Sequence, residues 1–163
     1  EIQKGTKEFE IFKEALHEVN TTLAKKIAGD GEGATALLEV IVQGAETKDQ
    51  AKTLAKSVIC SNLTKTAIAG HDANWGRILC AMGYAGVEFD PEKTDLFIKS
   101  SAGELKLVEN GMALDYSEEK ATEILSQPEV SIMADIKLGK ESAIAWGCDL
   151  THGYIDINAD YRS

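Results

Sequence analysis

Glu129-Val130-Ser131-Ile132-Met133-Ala134-Asp135-Ile136-Lys137-Leu138 alternates between two kinds of side chain. In an extended chain Val130, Ile132, Ala134, Ile136 and Leu138 share one face, and Glu129, Ser131, Met133, Asp135 and Lys137 share the other. One face is buried and the other largely polar, which marks a strand whose sheet is covered on one side. The segments around it read the same way. Leu96 and Ile98 share a face of a short strand, Leu105 and Leu107 follow in alternation, and Asn110-Gly111 is a two-residue hairpin signal before Met112 to Leu114. Between these strands Ser117 caps a short helix that Pro128 stops. Beyond Leu138 a turn at Gly139-Lys140 leads into Ser142 to Cys148.

Before Asp90-Pro91 the period changes. Phe9, Phe12, Leu16, Val19, Leu23 and Ile27 recur at steps of three and four, an apolar stripe on a helix from about residue 6 to residue 28, with Lys25 and Lys26 suited to its carboxy-terminal dipole. Leu37 to Val42 is a short β-branched run that reads as a buried strand closed by Gln43-Gly44-Ala45. Thr47 and Gln50 then form a capping box for a helix with Ala51, Leu54, Ala55, Val58 and Ile59 on its buried face, ending near Ser61. Helices gather early and strands late, without sustained βαβ alternation, so the fold class is α+β: helices packed on mixed or antiparallel sheet rather than a doubly wound parallel one. No repeat or linker divides residues 1–163, which read as a single domain of a size that buries roughly 68–70% of its unfolded surface.

Charge narrows the partners. Seventeen Lys and Arg face 27 Asp and Glu, a formal charge of -10, which disfavours nonspecific binding to nucleic acid or to an anionic membrane. No apolar run is long enough to span a bilayer, and residues 1–20 lack a signal-peptide layout. Cys60, Cys80 and Cys148 are widely spaced among apolar or small residues and read as buried, reduced thiols of an intracellular protein rather than metal ligands.

Four segments offer chemistry. In Asp30-Gly31-Glu32-Gly33-Ala34-Thr35 a carboxylate stands between two glycines where a helix stops and a strand starts. Either it meets a cationic ligand, or Gly29 or Gly31 caps the helix in the left-handed region and leaves Glu32 in solvent. The glycines match neither a phosphate loop nor a dinucleotide fingerprint, so no cofactor is expected there. Gly70-His71-Asp72-Ala73-Asn74-Trp75-Gly76-Arg77 sets an Asp72 or Asn74 cap before a helix carrying Ile78, Leu79 and Met82, with either structural capping or ligand contact as its role. Cys148 and His152 stand four apart but follow a strand, which favours a buried thiol and a surface imidazole over a catalytic pair; His17 sits on a helix flank or in the core. The terminal run from Tyr154 through Ile155, Ile157, Asn158, Tyr161 and Arg162 to Ser163 is too apolar for a frayed tail. It is expected to dock and to fix Asn158, Arg162 and the Ser163 hydroxyl in place.

The Asp30 to Thr35 run, the stretch Leu63-Thr64-Lys65-Thr66-Ala67-Ile68 with His71-Asp72-Ala73-Asn74-Trp75-Gly76-Arg77-Ile78, Trp146-Gly147-Cys148-Asp149-Leu150 and the terminal Ile157 to Ser163 together resemble the bifunctional ornithine acetyltransferase and N-acetylglutamate synthase family of arginine biosynthesis. The resemblance covers essentially the whole chain. It implies a precursor that cleaves itself before a Thr into α and β chains, assembled as an α2β2 heterotetramer in the cytoplasm, or in the mitochondrial matrix of a fungus, with the layered sandwich fold of that family. This chain resembles the later part of the β chain. The nucleophilic Thr and the α chain that supplies the oxyanion donors lie outside it, so no catalytic residue is expected here.

The same resemblance implies ping-pong acetyl transfer from N-acetylornithine to glutamate, with acetyl-CoA as a possible second donor and no cofactor. Carried over residue by residue, the substrate contacts in this chain are Glu32, Asn158 and Ser163, where Ser stands in place of the family's frequent terminal Thr and keeps the hydroxyl. The chemistry fits in type: a carboxylate suits the ammonium of ornithine, and amide and hydroxyl donors suit its carboxylate. Two other readings share these residues, a non-catalytic acidic subunit that binds a cationic metabolite or completes an assembly, and a related self-cleaving amidase or aminopeptidase.

Overall fold

The computed structural model describes residues 2–159; Ser163, Arg162 and Tyr161 lie outside the described residues. Thr6 Oγ1 accepts the Phe9 N–H and starts helix α1 (Lys7–Gly29). Strand β1 (Leu37–Ala45) follows. Helix α2 (Lys48–Cys60) starts where the capping signal predicts: Thr47 Oγ1 accepts the Gln50 N–H at 3.1 Å, and Gln50 Oε1 reaches past Thr47 to the Glu46 N–H at 2.9 Å. Ser61 then ends α2 and caps α3 (Asn62–Ala69), a helix too short and polar for its spacing to announce. Helix α4 (Trp75–Gly83) starts at Asn74, whose side chain accepts the Arg77 N–H at 3.1 Å.

Strands β2 (Asp95–Ser100), β3 (Gly103–Glu109) and β4 (Met112–Ala113) form a meander, and Asn110 and Gly111 make its tight turn with φ of 46° and 74°. Helix α5 (Glu118–Leu125) is capped by Ser117 as expected. Strand β5 (Glu129–Asp135) stops three residues short of Leu138 because Lys137 turns left-handed, φ 52°, and directs its ammonium to Asp95 Oδ1 at 2.6 Å. Strand β6 (Glu141–Cys148) and helix α6 (His152–Ala159) complete the order.

Among the described residues six strands form one mixed sheet, β4-β3-β2-β5-β1-β6, in which only β1 and β5 are parallel. Leu38, Val40 and Val42 of β1, Val130, Ile132 and Ala134 of β5, and Leu96 and Ile98 of β2 point to one face and are at most 1% exposed. There they meet Ala51, Leu54, Ala55, Val58 and Ile59 of α2, the residues its spacing assigns to the core, and Ala121, Ile124 and Leu125 of α5. The helices and mixed sheet are those of an α+β protein.

The other face is covered differently. Helix α1 packs chiefly on β6 and β1, and Thr21, Ala24, Lys25 and Ala28 in its second half are half-buried. Of its apolar stripe Phe9 is half-buried, and the rest points elsewhere: Phe12, Leu16, Val19, Leu23 and Ile27 are all exposed. Among the described residues no helix is long and apolar enough to cross a membrane.

Candidate functional site

Three segments converge where β6 ends. Helix α1 closes at Asp30, whose N–H donates to Lys26 O at 3.1 Å. The next four residues form a β-turn, closed by Ala34 N–H to Gly31 O at 2.9 Å with Glu32 and Gly33 at its centre. Gly33 has φ 70° while Glu32 does not enter the left-handed region, the combination of a type II turn. Neither Gly29 nor Gly31 is left-handed, so the glycine-cap alternative fails; Asp30 ends the helix and Gly33 turns the chain.

The glycines that flank Glu32 serve close approach within the protein rather than space for a ligand. A Cβ on Gly31 would lie 2.5 Å from Cys148 Sγ, and one on Gly33 would lie 2.6 Å from the Gly153 carbonyl carbon. Both positions are bare because the turn presses against the end of β6 and the start of α6. Hydrogen bonds fix that contact. Asp149, 2% exposed, accepts from Thr35 N–H at 2.8 Å, Ala36 N–H at 3.2 Å and Thr35 Oγ1 at 2.5 Å. Thr151 Oγ1 donates to Gly33 O at 2.5 Å and accepts the Gly153 N–H at 3.1 Å.

Glu32 therefore projects from a pinned turn, and it is exposed. Asn158, one of α6's last residues, donates through Nδ2 to Glu32 Oε2 at 2.7 Å and to Tyr154 O at 2.9 Å. Two of the three residues named for substrate contact are thus in direct contact with each other; the third, Ser163, lies outside the described residues. Both amide hydrogens of Asn158 are occupied by these acceptors, which leaves its Oδ1 as an acceptor beside the Glu32 carboxylate. The pair presents oxygens, and so suits a cation, whereas the sequence reading gave the amide to a carboxylate.

Glu32 lines a cavity of about 280 Å³ with Gly31, Asn62, Lys65, Cys148, Asp149, Leu150 and Tyr154. That is near the lower end of the roughly 300–1,000 Å³ typical of small-molecule sites. Leu150 N–H donates to Lys65 O at 3.3 Å, which ties α3 to the same convergence. Sequence reading passed over Lys65 and Asp149 as individuals. Both stand within quoted motifs, and the position of Asp149 directly after a strand was the available signal for it.

The remaining candidates resolve as structure. In the Gly70 to Arg77 segment, Asn74 caps α4 and donates to Asp72 Oδ2 at 3.0 Å, while Arg77 Nη1 donates to Leu63 O at 3.1 Å and Thr66 Oγ1 at 3.4 Å. Its polar groups are spent joining α3 to α4. Cys148 ends a strand and His152 is exposed at the start of α6, so they form no helical pair. His17 is exposed on α1. The three thiols are free, but Cys60 and Cys80 are exposed and Cys148 is half-buried, against the expectation of burial: the two helical thiols face away from the residues that pack on the sheet. Helix α6 docks through Thr151 and Gly153 and leaves Tyr154, Ile155 and Ile157 exposed, so the apolar tail is anchored without being buried. Among the described residues no group of His, Cys, Asp and Glu could hold a metal ion.

A family model described as the ArgJ family matches residues 1–163. Over 162 residues the chain is 51% identical to the arginine biosynthesis bifunctional protein ArgJ of Thermotoga neapolitana, covering 99% of this chain and 41% of that protein. A Methanopyrus kandleri protein named glutamate N-acetyltransferase is 48% identical over 152 residues, covering 93% of this chain and 39% of its own length. The crystal structure of the arginine biosynthesis bifunctional protein argJ from Bacillus halodurans matches with a TM-score of 0.91 and 42% identity, over 98% of this chain and 74% of that one. The chain spans about two fifths of the length of these curated relatives.

Proposed function

The chain belongs to the ArgJ family, and from that premise we propose that it is the later part of the β chain of an acetyltransferase that moves an acetyl group from N-acetylornithine to glutamate. A Thr outside this chain attacks the acetyl carbonyl, the C–N bond breaks, and ornithine leaves with a proton on its amine while the acetyl group stays as a Thr ester. The amine of glutamate then attacks the ester, which yields N-acetylglutamate and restores the Thr hydroxyl. No cofactor takes part, and acetyl-CoA enters only as an alternative donor. The α chain and the rest of the β chain complete the site, in an α2β2 assembly in the cytoplasm.

In this reading Glu32 and the Asn158 carbonyl oxygen hold the free ammonium of the donor, and Ser163 adds its hydroxyl at the same place. The observation that carries it is the hydrogen bond between Asn158 and Glu32, residues 126 apart in sequence, with Glu32 lining a cavity of about 280 Å³. A turn with its carboxylate merely in solvent has no need of a partner from the far end of the chain.

Full-length precursor purified with its cleaved chains tests the reading. Incubation with N-acetylornithine and glutamate should yield ornithine and N-acetylglutamate; acetate alone would indicate a hydrolase, and no turnover a binding subunit. Glu32→Ala should lower kcat/KM for N-acetylornithine by roughly 10- to 100-fold, the loss of a charge-assisted contact, with the thermal midpoint unchanged. Unaltered kinetics would remove Glu32 from the site.

A further inference from the structure

We infer that Lys65 binds the α-carboxylate of the donor and so determines its specificity, an assignment that rests on the acetyl-transfer reading above. Of the described residues lining the 280 Å³ cavity, Lys65 is the only one with a positive charge. The two carboxylates on the same walls are not its partners. Asp149 is saturated by three hydrogen bonds from Thr35 and Ala36, and Glu32 is engaged by Asn158. Among the described residues Lys65 takes part in no ion pair, although it is half-buried. The other half-buried lysines among the described residues each have one: Lys25 with Glu39, Lys106 with Asp95 and Lys120 with Glu123.

A half-buried lysine with no ion-pair partner among the described residues, lining the same cavity as the Glu32 carboxylate, offers charges complementary to a zwitterion. An N-acetylated diamino acid has this charge pattern, an ammonium at one end and a carboxylate at the other. Glu32 and Asn158 Oδ1 offer acceptors to the ammonium, but both amide hydrogens of Asn158 are already used. Among the described lining residues Lys65 supplies three charged N–H groups for the carboxylate, beside the neutral amide of Asn62. Its backbone is fixed: Lys65 N–H donates to Ser61 O at 2.9 Å in the first turn of α3, and Lys65 O accepts the Leu150 N–H at 3.3 Å.

The test compares two donors in the full-length enzyme: N-acetylornithine, and N-acetyl-1,4-diaminobutane, which is the same molecule without its carboxylate. Wild type should prefer the first by tenfold or more in kcat/KM. Lys65→Met keeps the apolar stem; it should lower kcat/KM for N-acetylornithine by roughly 10- to 100-fold, chiefly through KM, and leave the carboxylate-free donor within twofold. Lys65→Arg should restore part of the preference. An equal loss on both donors would mark Lys65 as structural and overturn the assignment, as would a wild type that uses both donors equally well. Should Lys65→Met fail to melt cooperatively, Lys65→Gln takes its place with the same two outcomes. A wild type that transfers no acetyl group from N-acetylornithine would instead overturn the acetyl-transfer reading, and this assignment with it.

Discussion

Helices α1 and α2 both carry an apolar stripe at helical spacing, yet the sheet uses only one of them. On α2 the five stripe residues are 0–7% exposed; on α1 Phe12, Leu16, Val19, Leu23 and Ile27 are 46–78% exposed. The difference follows the two faces of the sheet. The α2 face is closed chiefly by apolar side chains. The α1 face is open and is dressed with charge: Lys25 lies over the Trp146 ring at 5.6 Å and pairs with Glu39, which accepts Trp146 Nε1–H at 2.6 Å, and Lys106 lies over Phe97 at 5.3 Å with its ammonium on Asp95. Periodicity in a sequence shows that a helix has an apolar face. What covers that face is a separate matter, decided by which strands and which other polypeptide are within reach.

The contrast predicts that the closed face carries most of the stability. Leu54→Ala in α2 leaves a cavity in a fully buried site and should cost about 2–5 kcal/mol, read from the shift in urea midpoint at unchanged m-value. A loss below about 1 kcal/mol would mean that the closed face is not the core.

The open face should respond to pH instead. Burial pushes the Asp95 carboxyl upward, but the Asn110 N–H and the ammonium groups of Lys137 and Lys106 outweigh it and bring the group from 3.8 to about 2. A carboxylate depressed in the folded state contributes stability that is complete above its unfolded value and disappears as pH falls through the folded one. Unfolding free energies of wild type and Asp95→Asn, from urea titrations at each pH, should thus differ by an amount on the order of 1–2 kcal/mol near neutrality and converge between about pH 4 and about pH 2. A difference that persists at pH 2 would assign the effect of the substitution to packing.

The same division explains what could be read beforehand. Residues whose environment is local, or is a single apolar layer, were legible: the Thr47, Asn74 and Ser117 caps, the Asn110-Gly111 turn, the buried face of α2 and the alternation of β5. The site depends on contacts across the whole chain and was legible only as motifs. Nothing near Gly31 or Gly33 tells that Cys148 and Gly153 press against them, and nothing near Lys137 tells that Asp95 draws it out of the strand. Burial of the thiols failed for the same reason, since apolar neighbours in sequence do not fix which side of a helix faces inward.

The smallest effect is the most telling about the open face. Leu16 projects from the part of α1 where residues 10–20 are all exposed, so Leu16→Gln removes no packing, and the two residues have nearly equal helix propensity. In the 163-residue chain the substitution should change the unfolding free energy by no more than about 0.5 kcal/mol and reduce concentration-dependent association, because it interrupts an apolar stripe that now meets water. In the full-length protein the outcome depends on whether another segment closes the stripe: burial there would raise the cost toward that of Leu54→Ala. Paired urea titrations of chain and precursor, each with and without the substitution, separate the two cases. A large loss already in the 163-residue chain would mean that the stripe is packed there, and would erase the difference between α1 and α2 altogether.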